Sequence, residues 1–372
     1  MNFEAHMNEL APSDAEAFRA LAAQLRARPE REPSPALESR ILAAVEEERL
    51  RARRRFRFPA PWWKPAAAAA LLVACFYFYT GVGRRAVREP GGAQGGVAWL
   101  AASQEADGTW SPAKHGGAES YRPALTALSA LALDRAAGGF SGQVGQACRA
   151  LAALQGADGA FGGEGRPRLY NQAITTFALA TLCPKHPEVR STLERALGYV
   201  GAQQTVQGGW DYEAGSEGNA ALTSWLVRAL AAAEAQGFAQ ARTPLRKGLR
   251  WLRGAARDDG SIAYHRGSAA RSESLTALAA YALITSSQAY PELSALGTRV
   301  AASLGSAEAA PAGADCYRDY AEVLAFESAG ARERADEVRR RMLSQQESAV
   351  PDQWGRVGGR LYTVALTALA AK

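Results

Sequence analysis

The residue types and spacing best suited to chemistry are carboxylates in the stretch ADCYRDYAEVLAF, residues 314–326. Asp315, Asp319 and Glu322 follow one another at intervals of four and three residues, which places side chains on one face of a helix. Carboxyl groups that are buried together raise one another's pKa, as a general acid requires. With one acid from farther upstream, the candidate catalytic residues are Asp319, Glu322 and Glu273.

These carboxylates also have a structural alternative. Arg318 lies among them and Arg271 lies two residues before Glu273, so the arginines could neutralise the acids as buried ion pairs. The sequence supports no other site chemistry, because its four cysteines form no CxxC pair and no histidine has a partner at metal-ligand spacing. Nucleotide-binding and nucleophile-elbow motifs are absent as well. We therefore expect neither a metal nor a cofactor.

A short motif returns along the chain and indicates how these residues are positioned. Gln, three residues, Gly, one residue and an aromatic residue occur as QEADGTW (104–110), QGADGAF (155–161) and QTVQGGW (204–210). A degenerate copy occupies 256–262, and another with an insertion precedes Trp354. The glycine can reverse the chain, the aromatic ring can bury a large area and the glutamine can bond to helix ends. We expect the motif to fasten helices together rather than to react.

Each repeat unit ends in an apolar helix, which a more polar helix precedes. The apolar helices align on a central threonine, replaced once by glutamate, at intervals of 45 to 53 residues: Thr126, Thr175, Thr223, Thr276, Glu322 and Thr367. A period of this length is typical of repeat architectures in which each unit packs on its neighbours. Six such hairpins with short links predict an all-α fold, an α/α toroid with apolar inner helices and polar outer helices.

In such a ring the inner helices all begin at one end, which we call the mouth and which is the natural place for a pocket. Five residues before the central threonine, four of the six units carry tyrosine. These tyrosines could line a pocket for an apolar or cationic ligand, or could be ordinary residues at a helix start. With the polar residues that follow them, the candidate ligand-binding residues are Tyr121, Arg122, Tyr170, Asn171, Asn219, Arg271, Tyr317, Arg318 and Tyr362.

The motif and its six-fold period resemble the prenyltransferase/squalene cyclase repeat superfamily over roughly residues 93–372. This resemblance implies a toroid like those of terpenoid cyclases and protein prenyltransferases, with an isoprenoid ligand. The residues that carry the chemistry of those families are missing. The chain has no Asp-x-Asp-Asp motif, and Asp315 directly precedes Cys316 instead of lying two residues before it. Tyr362 stands where the resemblance would place a zinc-binding histidine.

Residues 65–83 form an uncharged run with aromatic residues near both ends, which predicts a transmembrane helix. Basic residues are more numerous before this run than after it, so we expect residues 1–60 to be a helical cytoplasmic tail. Residues 84–92 would be a linker, and 93–372 an extracytoplasmic domain anchored to a bacterial inner membrane by a single pass. An oxidising location would allow a disulfide between Cys148 and Cys183.

The first ninety residues resemble bacterial transmembrane anti-sigma factors, although the His/Cys zinc motif of many such proteins is missing. Apolar residues of this tail from Leu37 to Leu50 fit one helical stripe, which could face a cytoplasmic protein partner or nothing in particular. A nucleic-acid partner is not expected, because much of the arginine behind the net charge of +6 lies in one short segment.

The sequence leaves two functions open. The leading hypothesis is a membrane-anchored, non-catalytic domain that binds or senses an isoprenoid or other lipid, a glycan or a peptide. The alternative is an enzyme, either an atypical terpenoid cyclase or prenyltransferase, or a carboxylate-dependent toroid that cleaves glycans.

Overall fold

The computed structural model describes residues 93–136, 138–163, 165–212, 216–268, 272–304, 315–347, 352 and 355–371. The predicted tail, the predicted span at 65–83 and the linker lie outside the described residues, as does Arg271. Among the residues that are described, no helix has the length and apolar character needed to cross a membrane.

Twelve α-helices, and no β-strand, form the described part of the chain, and they alternate between an outer and an inner position. The outer helices are α1 (Ala93–Ala102), α3 (Ser141–Leu154), α5 (Arg190–Ala202), α7 (Arg242–Ala255), α9 (Ser294–Ala302) and α11 (Arg332–Glu347). The inner helices are α2 (Arg122–Arg135), α4 (Arg166–Leu182), α6 (Ala220–Ala235), α8 (Glu273–Ser286), α10 (Cys316–Ser328) and α12 (Gly355–Ala370). This confirms the predicted all-α toroid.

The two rings differ in how much of each helix is buried, as the sequence predicts. Inner helix α2 buries every residue from Pro123 to Leu133, because it packs on outer helices behind it and on inner helices beside it. Outer helix α7 buries residues at intervals of three and four, such as Leu245, Leu249 and Leu252, and turns its arginines to the surface. Inner helix α4 starts four residues earlier than expected, because Pro167 suits the first turn of a helix.

The inner helices pack in chain order, and the last returns to the first. Helix α12 packs against α2, which closes the ring. The backbone N–H of Ala118, just before α2, donates to the carbonyl oxygen of Val357 in α12 across 2.8 Å. Each inner helix therefore has two inner neighbours, and helices three places apart, such as α4 and α10, face each other across the lumen.

The repeated motif fastens successive units, as predicted. Gln204 Nε2 donates to the Gly208 carbonyl at 2.9 Å and to the Pro244 carbonyl at the start of the next outer helix at 2.8 Å. Gln104 and Gln155 make the matching pairs of bonds in their own units. The indole of Trp210 is fully buried and its Nε1 donates to a carbonyl of α5 across 2.8 Å. The motif residues are thus committed to packing.

The central threonines have a related role. The hydroxyl oxygens of Thr126, Thr223 and Thr276 each accept a hydrogen bond from the backbone N–H of the last motif residue, across 3.1 to 3.2 Å. In the second unit this bond goes instead to the side chain of Gln172. The fifth unit has Glu322 at this position, and its interactions are described below.

Candidate functional site

An open cavity of about 130 Å³ lies at the mouth, among the N-terminal ends of four inner helices. All four tyrosines that the sequence places at the mouth line this cavity, namely Tyr121, Tyr170, Tyr317 and Tyr362. Its deeper wall is aliphatic, with Leu128 of α2 and Ile174 of α4. The period of the repeat therefore brings together side chains that lie as many as 241 residues apart in the sequence.

Two further tyrosines join this group, and the sequence analysis missed them. The third and fourth units have Gly218 and Arg271 where the others have tyrosine. Tyr212 and Tyr264 instead come from the motif loops, two residues after the last motif position. The rings of Tyr170 and Tyr212 lie 5.7 Å apart between centroids. An aromatic residue two positions after a motif copy is the signal that could have identified them.

Burial keeps these phenols protonated. It raises the pKa of Tyr170, and the pKa of Tyr212 is raised by burial and by its tyrosine neighbours. Burial also holds the pKa values of Tyr317 and Tyr362 well above their ordinary range. Each phenol can therefore donate a hydrogen bond at neutral pH, so the cavity combines aromatic faces with polar donors.

The polar residues that follow the tyrosines in the sequence hold the surrounding loops. Asn171 is fully buried, and its amide donates to the Ser120 carbonyl at 2.7 Å and accepts from the Ala124 N–H at 3.2 Å. Asn219 caps α6 by accepting from Leu222 N–H, and it donates to Asp211 across 2.9 Å. These contacts give both asparagines a structural role.

The two arginines of this set are engaged as well. Arg122 donates to the hydroxyl of Thr109 at 2.8 Å and pairs with Glu119 beside the first motif. Arg318 pairs with Glu322 at 2.7 Å and also with Glu273. Neither arginine lines the cavity.

The three candidate catalytic acids lie in one ion network. Arg341 of α11 reaches Asp319 across 2.6 Å and Glu322 across 3.0 Å. Burial raises the pKa of Asp319, although Arg341 opposes this shift. Because Arg318 links Glu322 to Glu273, three acids share two guanidinium groups. None of the three acids lines the cavity.

This ion network holds the fifth unit in place, where the other units use the repeated motif. No copy of the motif precedes α10, and Glu322 stands where other units have the threonine that accepts a motif N–H. Arg341 instead ties α10 to α11 through buried acids. The arrangement matches the ion-pair alternative for these residues.

A different pair of carboxylates lies at the N-terminus of α10, close along the chain to the cavity residue Tyr317, although neither carboxylate lines the cavity itself. Asp315 caps α10 by accepting a hydrogen bond from the Arg318 N–H across 3.0 Å. Asp352, which reaches this place from the segment before α12, accepts from the Cys316 N–H across 2.7 Å. Both carboxylates act electrostatically on Tyr362 of the cavity. The sequence analysis noted Asp315 but missed Asp352, because Asp352 lies 37 residues farther along the chain in a motif copy disrupted by an insertion.

The two carboxylates of this pair have different surroundings. Burial raises the pKa of Asp315, and the nearby charge of Asp352 raises it further. Asp352 accepts from the Cys316 N–H at the N-terminus of α10, the helix that Asp315 caps. A carboxyl group with a raised pKa close to a second carboxyl group is an arrangement that acid–base catalysis can use.

The cysteines of the described region are reduced. Cys148, Cys183 and Cys316 are buried free thiols, so the disulfide considered between Cys148 and Cys183 is not formed. Burial raises the pKa of Cys148 to about 12. The thiol therefore stays protonated and packs as a small apolar group.

Comparison with known proteins identifies the fold but not a family. No family model matches the chain, and no curated protein matches it in sequence. Two solved structures of an alpha-1,6-mannanase, GH76A of Salegentibacter sp. HEL1_6, match over 75% of this chain and 98% of theirs. Both are inactive variants with two consecutive aspartates replaced, one in complex with alpha-1,6-mannotriose and the other with alpha-1,6-mannotetrose. Their sequence identities are 12% and 11%, and their TM-scores 0.56 and 0.54.

These findings correct the resemblances drawn from the sequence. The assignment to the prenyltransferase/squalene cyclase superfamily is wrong, because the two solved structures described above, which share the fold, are of a mannanase and no family model supports the assignment. The physical reason is that the motif fastens helical hairpins, which any α/α toroid requires whatever its chemistry. The resemblance of the first ninety residues to anti-sigma factors is not supported either.

Proposed function

We propose that this protein is a carboxylate-dependent enzyme that cleaves glycans, with its saccharide bound in the cavity at the mouth. The observation that carries the proposal is the pair Asp315 and Asp352 at the N-terminus of α10, close along the chain to a cavity lined by tyrosines. Of the functions that the sequence left open, this alternative is better supported than a lipid-binding sensor. The solved structures that share its fold belong to a mannanase and hold mannooligosaccharides.

The lining of the cavity suits a sugar. Tyrosine rings offer flat apolar faces to the C–H face of a pyranose, and protonated phenols offer hydrogen-bond donors to its hydroxyl oxygens. The aliphatic side chains of Leu128 and Ile174 complete the apolar wall. A few polar groups in a mostly apolar cavity fix the orientation of a small ligand.

The two carboxylates can divide the chemistry between them. Asp315, whose pKa burial raises, gives its proton to the glycosidic oxygen as the bond between that oxygen and the anomeric carbon breaks. Asp352 serves as the second carboxylate at the anomeric carbon, as a base for the attacking water or as a nucleophile that water later displaces. One water is consumed: its oxygen joins the anomeric carbon, one of its protons stays on the new hydroxyl, and the other replaces the proton that Asp315 gave to the leaving oxygen, directly or by way of Asp352. The anomeric configuration of the first product distinguishes the two routes.

The acids of the matched mannanase are not transferred to this chain. Those variants lack two consecutive aspartates, whereas the consecutive pair here is Asp258 and Asp259. This pair lies in the degenerate motif copy, where Asp259 accepts hydrogen bonds from the backbone and hydroxyl of Ser261 at 2.8 and 2.6 Å. These bonds form the turn inside a motif copy. In the first copy, Asp107 makes the same turn by accepting a hydrogen bond from the Thr109 N–H.

The test is glycan cleavage by the full chain. The protein is incubated with a panel of polysaccharides that includes α-1,6-mannan, and newly formed reducing ends are counted. We expect release from at least one member. Failure to bind or cleave any saccharide, together with an isoprenoid that co-purifies and is detected by native mass spectrometry, would overturn the proposal.

The location of the enzyme is a separate proposal that rests on the sequence alone. From the charge pattern around residues 65–83 we infer that the toroid lies on the extracytoplasmic side of a membrane, with the tail available to a cytoplasmic partner. Protease treatment of intact spheroplasts tests this. Digestion of the toroid in intact spheroplasts supports the proposal, and protection until the spheroplasts are lysed contradicts it.

A further inference from the structure

Beneath the cavity, side chains of α6 reach across the lumen to α10. The indole Nε1 of Trp225 donates to the hydroxyl oxygen of Tyr317 across 2.9 Å. One turn farther along α6, Arg228 Nη2 donates to the hydroxyl of Tyr320 across 3.1 Å. Helices α6 and α10 are not neighbours in the ring, since α8 lies between them. These two bonds therefore cross the lumen and close it below the cavity.

An aromatic cage holds this closure in place. The guanidinium carbon of Arg228 lies 4.4 Å from the ring centroid of Phe177, 4.3 Å from Trp225, 4.8 Å from Tyr281 and 5.8 Å from Tyr320. These rings come from four consecutive inner helices, α4 to α10. Arg228 is 4% exposed, and its Nε and Nη1 have no hydrogen-bond partner within the described residues. The faces of the rings therefore stabilise the buried charge, which fixes the rings in turn.

The closure orients one hydroxyl of the cavity. Tyr317 lines the cavity, and its oxygen accepts the hydrogen bond from Trp225. Burial holds its pKa well above the ordinary range, so the phenol keeps its proton. Because the indole occupies one side of the oxygen, the hydrogen turns to the other side. Tyr317 is thus a hydrogen-bond donor whose direction is set from below.

The size of the cavity limits what it can hold. Its volume of about 130 Å³ is below the roughly 300–1,000 Å³ typical of sites for drug-sized ligands. The side chains that cross the lumen between α6 and α10 favour a chain that enters and leaves by the mouth. A single ring with its chain leading outwards fits these limits.

We propose that the cavity takes the terminal residue of a saccharide chain, with the Tyr317 hydroxyl donating a hydrogen bond to that residue. This inference rests on the proposed function. It adds that the enzyme acts at the end of a saccharide chain. Trp225 and Arg228 are positioning residues, because they set the direction of Tyr317 without touching the ligand. Their packing also fixes the depth at which the terminal ring stops.

Binding and products test the mode of action with the full chain. The probes are α-1,6-mannotriose and long α-1,6-mannan, or the matching short and long pair from whichever polysaccharide the panel identifies. Chain-end recognition predicts equal affinity per chain for both lengths and one short product from the first turnover. Affinity that grows with chain length, with a ladder of products, would overturn the inference and leave the proposed function standing. If no saccharide of any length is bound or cleaved, both this inference and the proposed function are contradicted.

Variants test the role of Tyr317. We expect Tyr317→Phe to weaken binding of the trisaccharide about three- to tenfold, as the loss of one neutral hydrogen bond predicts, with the melting temperature unchanged. The matched control is Tyr290→Phe, which removes a hydroxyl bonded to Glu234 away from the cavity and should bind normally. Wild-type affinity in Tyr317→Phe would contradict the assignment.

The positioning role of Arg228 has its own readout. Arg228→Met should lower trisaccharide affinity to the level of Tyr317→Phe, and combining the two changes should cost nothing further in affinity. Arg228→Lys keeps the caged charge and should recover part of the loss. Arg334→Met is the control, because Arg334 also stacks on a ring, Phe326 at 4.1 Å, but on an exposed helix face. Fully additive losses in the double variant would show that Arg228 does not act through Tyr317.

Discussion

The carboxylate of Asp352 accepts a hydrogen bond from the backbone N–H of Cys316 across 2.7 Å. This bond ties the segment before the last inner helix to the first residue of α10. It also brings a second negative charge next to Asp315, whose pKa burial and this neighbour raise. Asp352 thus acts electrostatically on a helix cap that lies 37 residues before it in the sequence.

The raised pKa of Asp315 predicts how stability depends on pH. A carboxyl group whose pKa is higher in the folded than in the unfolded state stabilises the fold at low pH, and this contribution is lost as pH rises. The ordinary pKa of an aspartate is about 4. As pH rises from this value through the raised pKa of Asp315, we expect the melting temperature of the wild type to fall relative to that of Asp315→Asn. Asparagine still caps the helix, so the variant should fold.

Thermal melts of both proteins between pH 3 and 7 check this, with the difference between them plotted against pH. A constant difference would mean that the pKa of Asp315 is not raised by folding. Asp134→Asn, which removes a surface pair with Lys185, serves as the control.

The fastening motif predicts a strong requirement for glycine. Gly208 has φ of 94°, and a Cβ atom there would lie 2.9 Å from the Lys247 carbonyl oxygen of the next outer helix. We expect Gly208→Ala to lower the free energy of unfolding by at least about 1–3 kcal/mol, because it strains the backbone and pushes α7 away. Chemical denaturation measures the loss.

Gly198→Ala is the matched control. Gly198 lies inside α5 with no atom close to the added Cβ. Alanine should leave stability unchanged or raise it slightly. Equal losses at the two positions would contradict the account of the motif.

The ion network predicts a structural and not a catalytic defect. Arg341→Met leaves the buried acids Asp319 and Glu322 without one shared partner, so we expect a loss of about 3 kcal/mol in the free energy of unfolding. Adding Asp319→Asn should restore part of it, because one unpaired charge is then removed. Denaturant melts of the single and double variants measure both effects.

Glu322→Gln and Glu273→Gln complete this comparison. Both should cleave substrate with the wild-type turnover number, whatever they lose in stability. If the turnover number of a variant that is still folded drops by orders of magnitude, the acid that was replaced is catalytic and this account is wrong.

Much of the fold could be predicted from the sequence, because period and motif are local signals. The intervals between central threonines predicted six hairpins, and the glutamine, glycine and aromatic residue of each motif predicted a fastening role that Gln204 and Trp210 display. The tyrosines at the mouth followed from the same register. Each of these inferences needs only neighbours within one unit or the next.

The site could be predicted only in part, because its decisive contacts join distant segments. The acidic character of Glu322 does not reveal whether its partner is a ligand or Arg341, which comes from the next outer helix. Trp225 and Tyr317 lie 92 residues apart, and no local pattern shows that their side chains meet across the lumen. The family resemblance failed for a related reason, since the motif reports how hairpins pack and carries no information about the reaction.

The most direct test of the proposed function compares Asp315→Asn and Asp352→Asn with Asp319→Asn in the cleavage of the substrate found by the panel. If Asp315 and Asp352 carry the reaction, their variants should lose about a hundredfold or more in turnover number, as loss of a general acid or base predicts, and should still bind the saccharide. Asp319→Asn should cleave normally. Cleavage by Asp315→Asn and Asp352→Asn at the wild-type rate, or loss only in Asp319→Asn, would contradict the assignment of the carboxylate pair.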